Sequence, residues 1–185
     1  MMRLFKRCLA GITLTTLCFQ VWATPVPFST LTRCDLAADH RISLLRGDAF
    51  SGSSVYKVRE AHGLQFLYED SDASRGSDVH WKCVALDKHS NALVVSGEFT
   101  SNYIQGLLFY YDAAERKVNR ISFAERNRPG WIWLSTQGTQ VIFLNVGHES
   151  SHKYLRYGKN EAYQETDELP FPVSARGEKL IRLKL

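Results

Sequence analysis

Trp131-Ile132-Trp133-Leu134, then Ser135-Thr136-Gln137-Gly138-Thr139-Gln140, then Val141-Ile142-Phe143-Leu144-Asn145-Val146: two apolar runs flank a polar stretch with one glycine. Aromatic and β-branched residues on both sides of a Gly-containing polar stretch predict two strands joined by a tight connection. Neither run alternates cleanly between apolar and polar, so both strands are expected to be covered on both faces. The hairpin should therefore lie inside a sheet, with the remaining strands pairing outward from it.

The same cadence runs through the rest of the chain. Val55–Tyr68 reads as a hairpin turning near Glu60-Ala61-His62-Gly63, with Tyr56 and Val58 facing Leu64, Phe66 and Tyr68. Residues 69–78 are the most polar loop. Strands follow over Val79–Leu86, Ala92–Phe99, Gly106–Tyr111, Val118–Phe123 and Tyr154–Tyr157, and Leu180–Leu185 alternates as a half-exposed last strand. Leu36–Arg46 fits a short helix or a strand equally well. Around ten strands with turn signals between them leave almost no room for helices. The expected fold is all-β, an antiparallel meander built as a sandwich, a barrel or a small propeller-like assembly.

Within Leu107–Asn145 a Tyr111-Asp112 turn is followed by a Lys117-Val118 return, then a glycine turn before Val141-Ile142-Phe143. This segment resembles one blade of a periplasmic WD40-like β-propeller. The resemblance covers about a quarter of the chain after its leader and implies about four blades at roughly 40 residues each. Its motifs carry no functional residue across. Convergent hairpin spacing accounts for the same pattern.

Arg3, Lys6 and Arg7 precede an apolar run from Cys8 to Cys18 and a Val21-Trp22-Ala23 site, the pattern of a secretory signal peptide over residues 1–23. Acylation at Cys18 is disfavoured by Thr15-Thr16-Leu17, which lacks the usual small residue before the cysteine. Residues 24–185 are expected to form a single exported β-rich domain, periplasmic or secreted. Removing three basic residues from 23 leaves 20 against 19 acidic ones, a net charge of +1. Such a balance gives no electrostatic footprint for nucleic acid, and no later run is long and apolar enough to span a bilayer. Of the four cysteines, Cys34 and Cys83 remain after the leader, and in an oxidising compartment they are expected to pair.

His148-Glu149-Ser150-Ser151-His152 matches H-E-x-x-H, which on a helix binds Zn²⁺ through both histidines while the glutamate activates water. Here Gly147 precedes it, two serines replace apolar anchors, and a strand follows at Tyr154. The string is therefore expected in a loop, and with no histidine downstream the third ligand would have to be Glu161, Glu165 or Glu168. Asp70, Asp72 and Ser74 alternate as in a Ca²⁺ loop, but Arg75 stands where the sharp-turn glycine belongs and Trp81 where the bidentate glutamate belongs. Tyr103, Tyr110, Trp131 and Trp133 belong to an aromatic-rich region, and by alternation part of it is a candidate binding face. No nucleophile motif, phosphate loop or dinucleotide fingerprint occurs, so no catalytic residue is assigned and no cofactor is expected. These features favour an exported binding or inhibitory protein, of the immunity type, that contacts another protein of the cell envelope. The alternatives are a zinc hydrolase built on His148, Glu149 and His152, and a structural accessory of the envelope.

Overall fold

The computed structural model describes residues 27–99, 103–148 and 150–185; the expected leader lies outside them. The fold is all-β, with thirteen strands among the described residues in two antiparallel sheets. The first sheet runs in the order β1 (Ser29–Ala37), β2 (His40–Arg46), β3 (Ser54–Glu60), β5 (Arg75–Ala85), β6 (Asn91–Glu98), β7 (Ile104–Asp112), β8 (Lys117–Glu125), and β4 (Gly63–Phe66) pairs beside β3. The second runs in the order β12 (Tyr163–Thr166), β11 (Tyr154–Gly158), β10 (Gly138–Leu144), β9 (Trp131–Ser135), β13 (Lys179–Arg182).

Alternation along β6 and β7 explains how these sheets stack. Leu93, Val95, Leu107 and Phe109 point to one side and pack with Cys34, Leu36, Ile42, Leu44, Tyr56 and Val58 of β1–β3. Ala92, Val94, Leu108 and Tyr110 point to the other side, where Ile121 and Phe123 of β8 join them against Ile132, Val141, Phe143 and Leu155 of the second sheet. The first sheet thus folds over itself at the β3–β5 junction, where only Ser54–Gly76 and Val55–Arg75 pair. The result is three β layers with β6 and β7 in the middle, buried on both faces. Gly106 is required there: a Cβ would lie 2.3 Å from the Val95 carbonyl and 2.4 Å from the Phe123 ring.

A second tie crosses these layers. Cys34 of β1 and Cys83 of β5 form the expected disulfide, with Cα atoms 5.5 Å apart. It fastens the N-terminal strands to the middle layer.

The hairpin at Trp131–Val146 forms as β9 and β10, with the pairing Gly138–Ser135 next to the turn, and both strands are interior to their sheet. Its outer face, Trp131, Trp133 and Ile142, turns away from the core. Ile142 is nevertheless fully buried and Trp133 is only 7% exposed. Topology explains this. β12 and β13 sit at opposite edges, so residues 167–178 must cross the sheet, and the inner face is already occupied. Arg156, which pairs with Ile142 and shares its face, donates to the Glu168 carbonyl at 3.0 Å, fixing the start of the crossing.

Three expectations change. The segment 107–145 is not one propeller blade, because β7 and β8 belong to the first sheet and β9 and β10 to the second. The 55–68 hairpin forms, but Lys57 pairs with Phe66 and Arg59 with Leu64. Leu64 and Phe66 therefore share a face with charged residues, opposite to Tyr56 and Val58, and the Lys57 ammonium lies over the Phe66 ring, 4.3 Å from its centroid. Part of the polar 69–78 loop is strand, since β5 begins at Arg75. Residues 36–46 resolve as strands around a turn at Ala38-Asp39: Cys34 and Leu36 alternate with exposed Asp35 on β1, and β2 is buried from Ile42 to Leu45.

Candidate interaction groove

β8 has one polar and one apolar face. Asn119, Ile121 and Phe123 pack toward the second sheet, while Val118, Arg120 and Ser122 point to the side that β1–β3 cover for β6 and β7 but leave open over β8. A groove of about 620 Å³ results. Its floor is Phe109, Val118, Arg120 and Ser122; one wall is Glu60 and Gln65 of the β3–β4 hairpin, and the other is the turn Gly158–Glu161. A smaller cleft lined by His40, Arg41, His62 and Arg116 continues it past the hairpin tip.

Local chemistry holds each wall. Gln65 Nε2 donates to Glu60 Oε1 at 3.2 Å across β3–β4. On the other side Lys159 bonds Glu115, which also accepts from Asn119 at 3.2 Å and pairs with Lys117 at 3.1 Å. These three donors hold the Glu115 carboxyl down at about 2, Lys159 contributing most. The Gly158–Ala162 turn closes through Gly158 N–H to the Ala162 carbonyl at 2.7 Å, with Asn160 and Glu161 at φ 56° and 59°. Asparagine tolerates that left-handed region; glutamate at φ 59° is strained. The strained residue lines the groove.

Arg120 and Arg116 have no ion-pair partner among the described residues, unlike Lys117 and Lys159. Burial raises the Tyr68 phenol, and the positive charge of Arg120 partly offsets this. That hydroxyl is buried and meets no acceptor among the described residues.

The sites suggested by the sequence lie elsewhere and are not gathered together. His148 and His152 flank a loop between β10 and β11, and Glu149 lies outside the described residues. Asn145 organises this loop by donating to the carbonyls of Ser150 at 2.9 Å and His152 at 2.8 Å. His152 Nδ1 stands 3.2 Å from Asp167 Oδ2, and Ser150 Oγ donates to Glu165 Oε2 at 2.6 Å. Among the described residues no three His, Cys, Asp or Glu side chains are grouped as a metal site. In the 70–74 loop, Asp70 Oδ1 accepts the N–H groups of Asp72 and Ala73, and fully buried Ser74 accepts the Tyr68 N–H at 2.8 Å. These oxygens bind their own backbone.

The four aromatics are likewise dispersed. Tyr110 is a core residue, and Trp133 is buried. Trp131 is half-buried, edge-on to Tyr154 at 5.8 Å. Tyr103 is exposed, with Arg126 over its ring at 5.5 Å.

Comparison with family models, curated proteins and solved structures finds no match for the chain.

Proposed function

We propose that this chain is an exported binding protein, of the inhibitory or immunity type, that acts by contact with another protein in the periplasm or outside the cell. The observation that supports this reading is the groove over β8, a broad concave surface lined mainly by polar side chains from separated parts of the chain, with no nucleophile–base pair along it. Broad polar grooves suit an extended protein surface better than a small apolar substrate. The Cys34–Cys83 bond fits an oxidising compartment. Among the described residues no helix is long and apolar enough to cross a membrane.

Photo-crosslinking tests the reading. A benzophenone amino acid at Ser122, in the groove, is expected to capture one protein partner in living cells, while the same group at Ser135, beyond the groove, captures none. Stoichiometric zinc with a hydrolytic activity abolished by Glu149→Gln, and no cross-link at Ser122, would overturn it in favour of an enzyme.

A further inference from the structure

We propose that the outer face of β1–β4 docks an acidic surface of the partner protein, with Arg33 and Arg59 pairing to its carboxylates and Leu64 packing beside them. This rests on the binding reading above and adds a second contact surface next to the groove.

The face follows from register and alternation. Cys34, Leu36, Ile42, Leu44, Tyr56 and Val58 pack inward against β6 and β7. Their neighbours along each strand point outward, and pairing sets them in rows. Arg33 opposes Ser43, Ser43 opposes Arg59 and Arg59 opposes Leu64, while Leu45, Lys57 and Phe66 make up the next row. Among the outward strand residues Arg33, Arg41, Lys57 and Arg59 are cationic, and Asp35 alone is acidic. The chain as a whole carries 23 basic and 19 acidic residues, so this face concentrates a charge that the rest of the molecule nearly balances.

Two of these cations are already engaged. Asp35 accepts from Arg41 Nε at 2.5 Å, and the Lys57 ammonium lies between two rings, 4.5 Å from the Phe28 centroid and 4.3 Å from that of Phe66. Arg33 and Arg59 are exposed and have no hydrogen-bond or ion-pair partner among the described residues. They stand two strand spacings apart, about 10 Å, on either side of Ser43. No acid of this face answers them, so the complementary surface is an acidic one.

The mixture of groups selects a folded protein as the occupant. Guanidinium forks bind carboxylates in register, and Leu64, 45% exposed beside Arg59, adds apolar contact of the kind that fills protein interfaces. An anionic membrane draws on clusters of about four to eight free cations, and only two are free here. A second copy of this chain fits poorly, because two such faces repel. The surface also adjoins the groove: the β3–β4 hairpin turns Arg59 and Leu64 to this face, and Glu60 and Gln65 form the groove wall.

The test places a benzophenone amino acid at Leu64 in living cells, beside the same group at Ser122, and then titrates the protein captured at Leu64, once purified, against the parent and charge variants. The proposal expects one captured protein, bound with an affinity that falls as salt rises. Arg33→Glu and Arg59→Glu should each weaken it about tenfold or more, and changing one acid of the partner to lysine should restore affinity for Arg59→Glu. Arg33→Gln and Arg59→Gln repeat the measurement if the glutamate variants do not fold. Vesicles of phosphatidylglycerol and phosphatidylethanolamine should not retain the protein. No capture at Leu64, a captured protein whose affinity ignores salt and these substitutions, or tight binding to the vesicles would each refute the proposal. A cross-link at Ser122 with none at Leu64 would refute this face and leave the binding reading standing, whereas no cross-link at either position would remove both.

Discussion

Removing the Cys34–Cys83 bond should loosen one layer of the molecule in particular. The N-terminal strands are joined to the middle layer by two residue pairs at the β3–β5 junction, by side-chain packing and by this bond. The cysteines are 49 residues apart, and closing a loop of that length restricts the unfolded chain by about 4 kcal/mol on the chain-entropy model. The two ends differ in environment: Cys34 is 1% exposed, while Cys83 is on the surface. Cys83→Ser therefore leaves a buried thiol, which behaves as a small apolar group, and should cost about 4 kcal/mol. Cys34→Ser with Cys83→Ser also buries a hydroxyl and should cost about 1 to 3 kcal/mol more. For a domain of this size the first loss corresponds to a fall in Tm of about 8 to 16 °C. Urea unfolding with native-state hydrogen exchange reads both the size and the place. Protection should fall first in β1 and β2. Equal stability of Cys83→Ser and the parent, or a loss confined to the second sheet, would refute the view that the bond holds the outer layer down.

Other outcomes follow from single sites. Trp133→Ala should cost about 3 to 5 kcal/mol and Trp131→Ala clearly less, because the first is buried and the second only half-buried; paired melting curves decide this. Glu161→Gly should raise stability by up to about 1 kcal/mol by relieving a side chain at φ 59°, seen as a higher urea midpoint with an unchanged m-value. Glu115 has a folded-state pKa near 2, below its usual 4.5, so its contribution to stability is complete above 4.5 and is lost as pH falls toward 2. Lys159→Ala should move that pKa upward, which carboxyl NMR titration would follow directly.

How far the chain could be read depended on whether the deciding interaction was local. The β9–β10 hairpin was legible because its apolar runs and Gly138 lie within one short stretch. The disulfide followed from counting cysteines beyond the leader. By contrast, the doubly buried centre turned out to be β6–β7, which reads from the sequence no differently from β9–β10: continuous apolar runs report coverage, not what provides it. The β3–β4 register escaped because a turn centred on Ala61-His62 sets the phase of Leu64 and Phe66, and shifting it by one residue exchanges their face. The groove is assembled from residues 60–65, 109–122 and 158–161, which no local motif connects. One trace of it was present: Arg120 and Ser122 alternate with Ile121 and Phe123, the mark of a strand covered on one side only. His148 to His152 looked like chemistry because spacing is visible in a sequence, whereas the Asn145-centred loop that carries it depends on carbonyl positions.

The crossing segment also bears on the order of assembly. β9 to β12 can zip together through short connections, but β13 pairs with β9 from 45 residues away, as Lys179 with Leu134, and only after the chain has passed over the sheet. Distant closure of this kind is slow relative to hairpin formation. A folding chain should therefore pass through a stage in which β9–β12 are formed while Trp131, Trp133 and Ile142 still face water. Tryptophan emission would register the docking of residues 167–182 as a late blue shift, separate from the earlier growth of β-sheet circular dichroism.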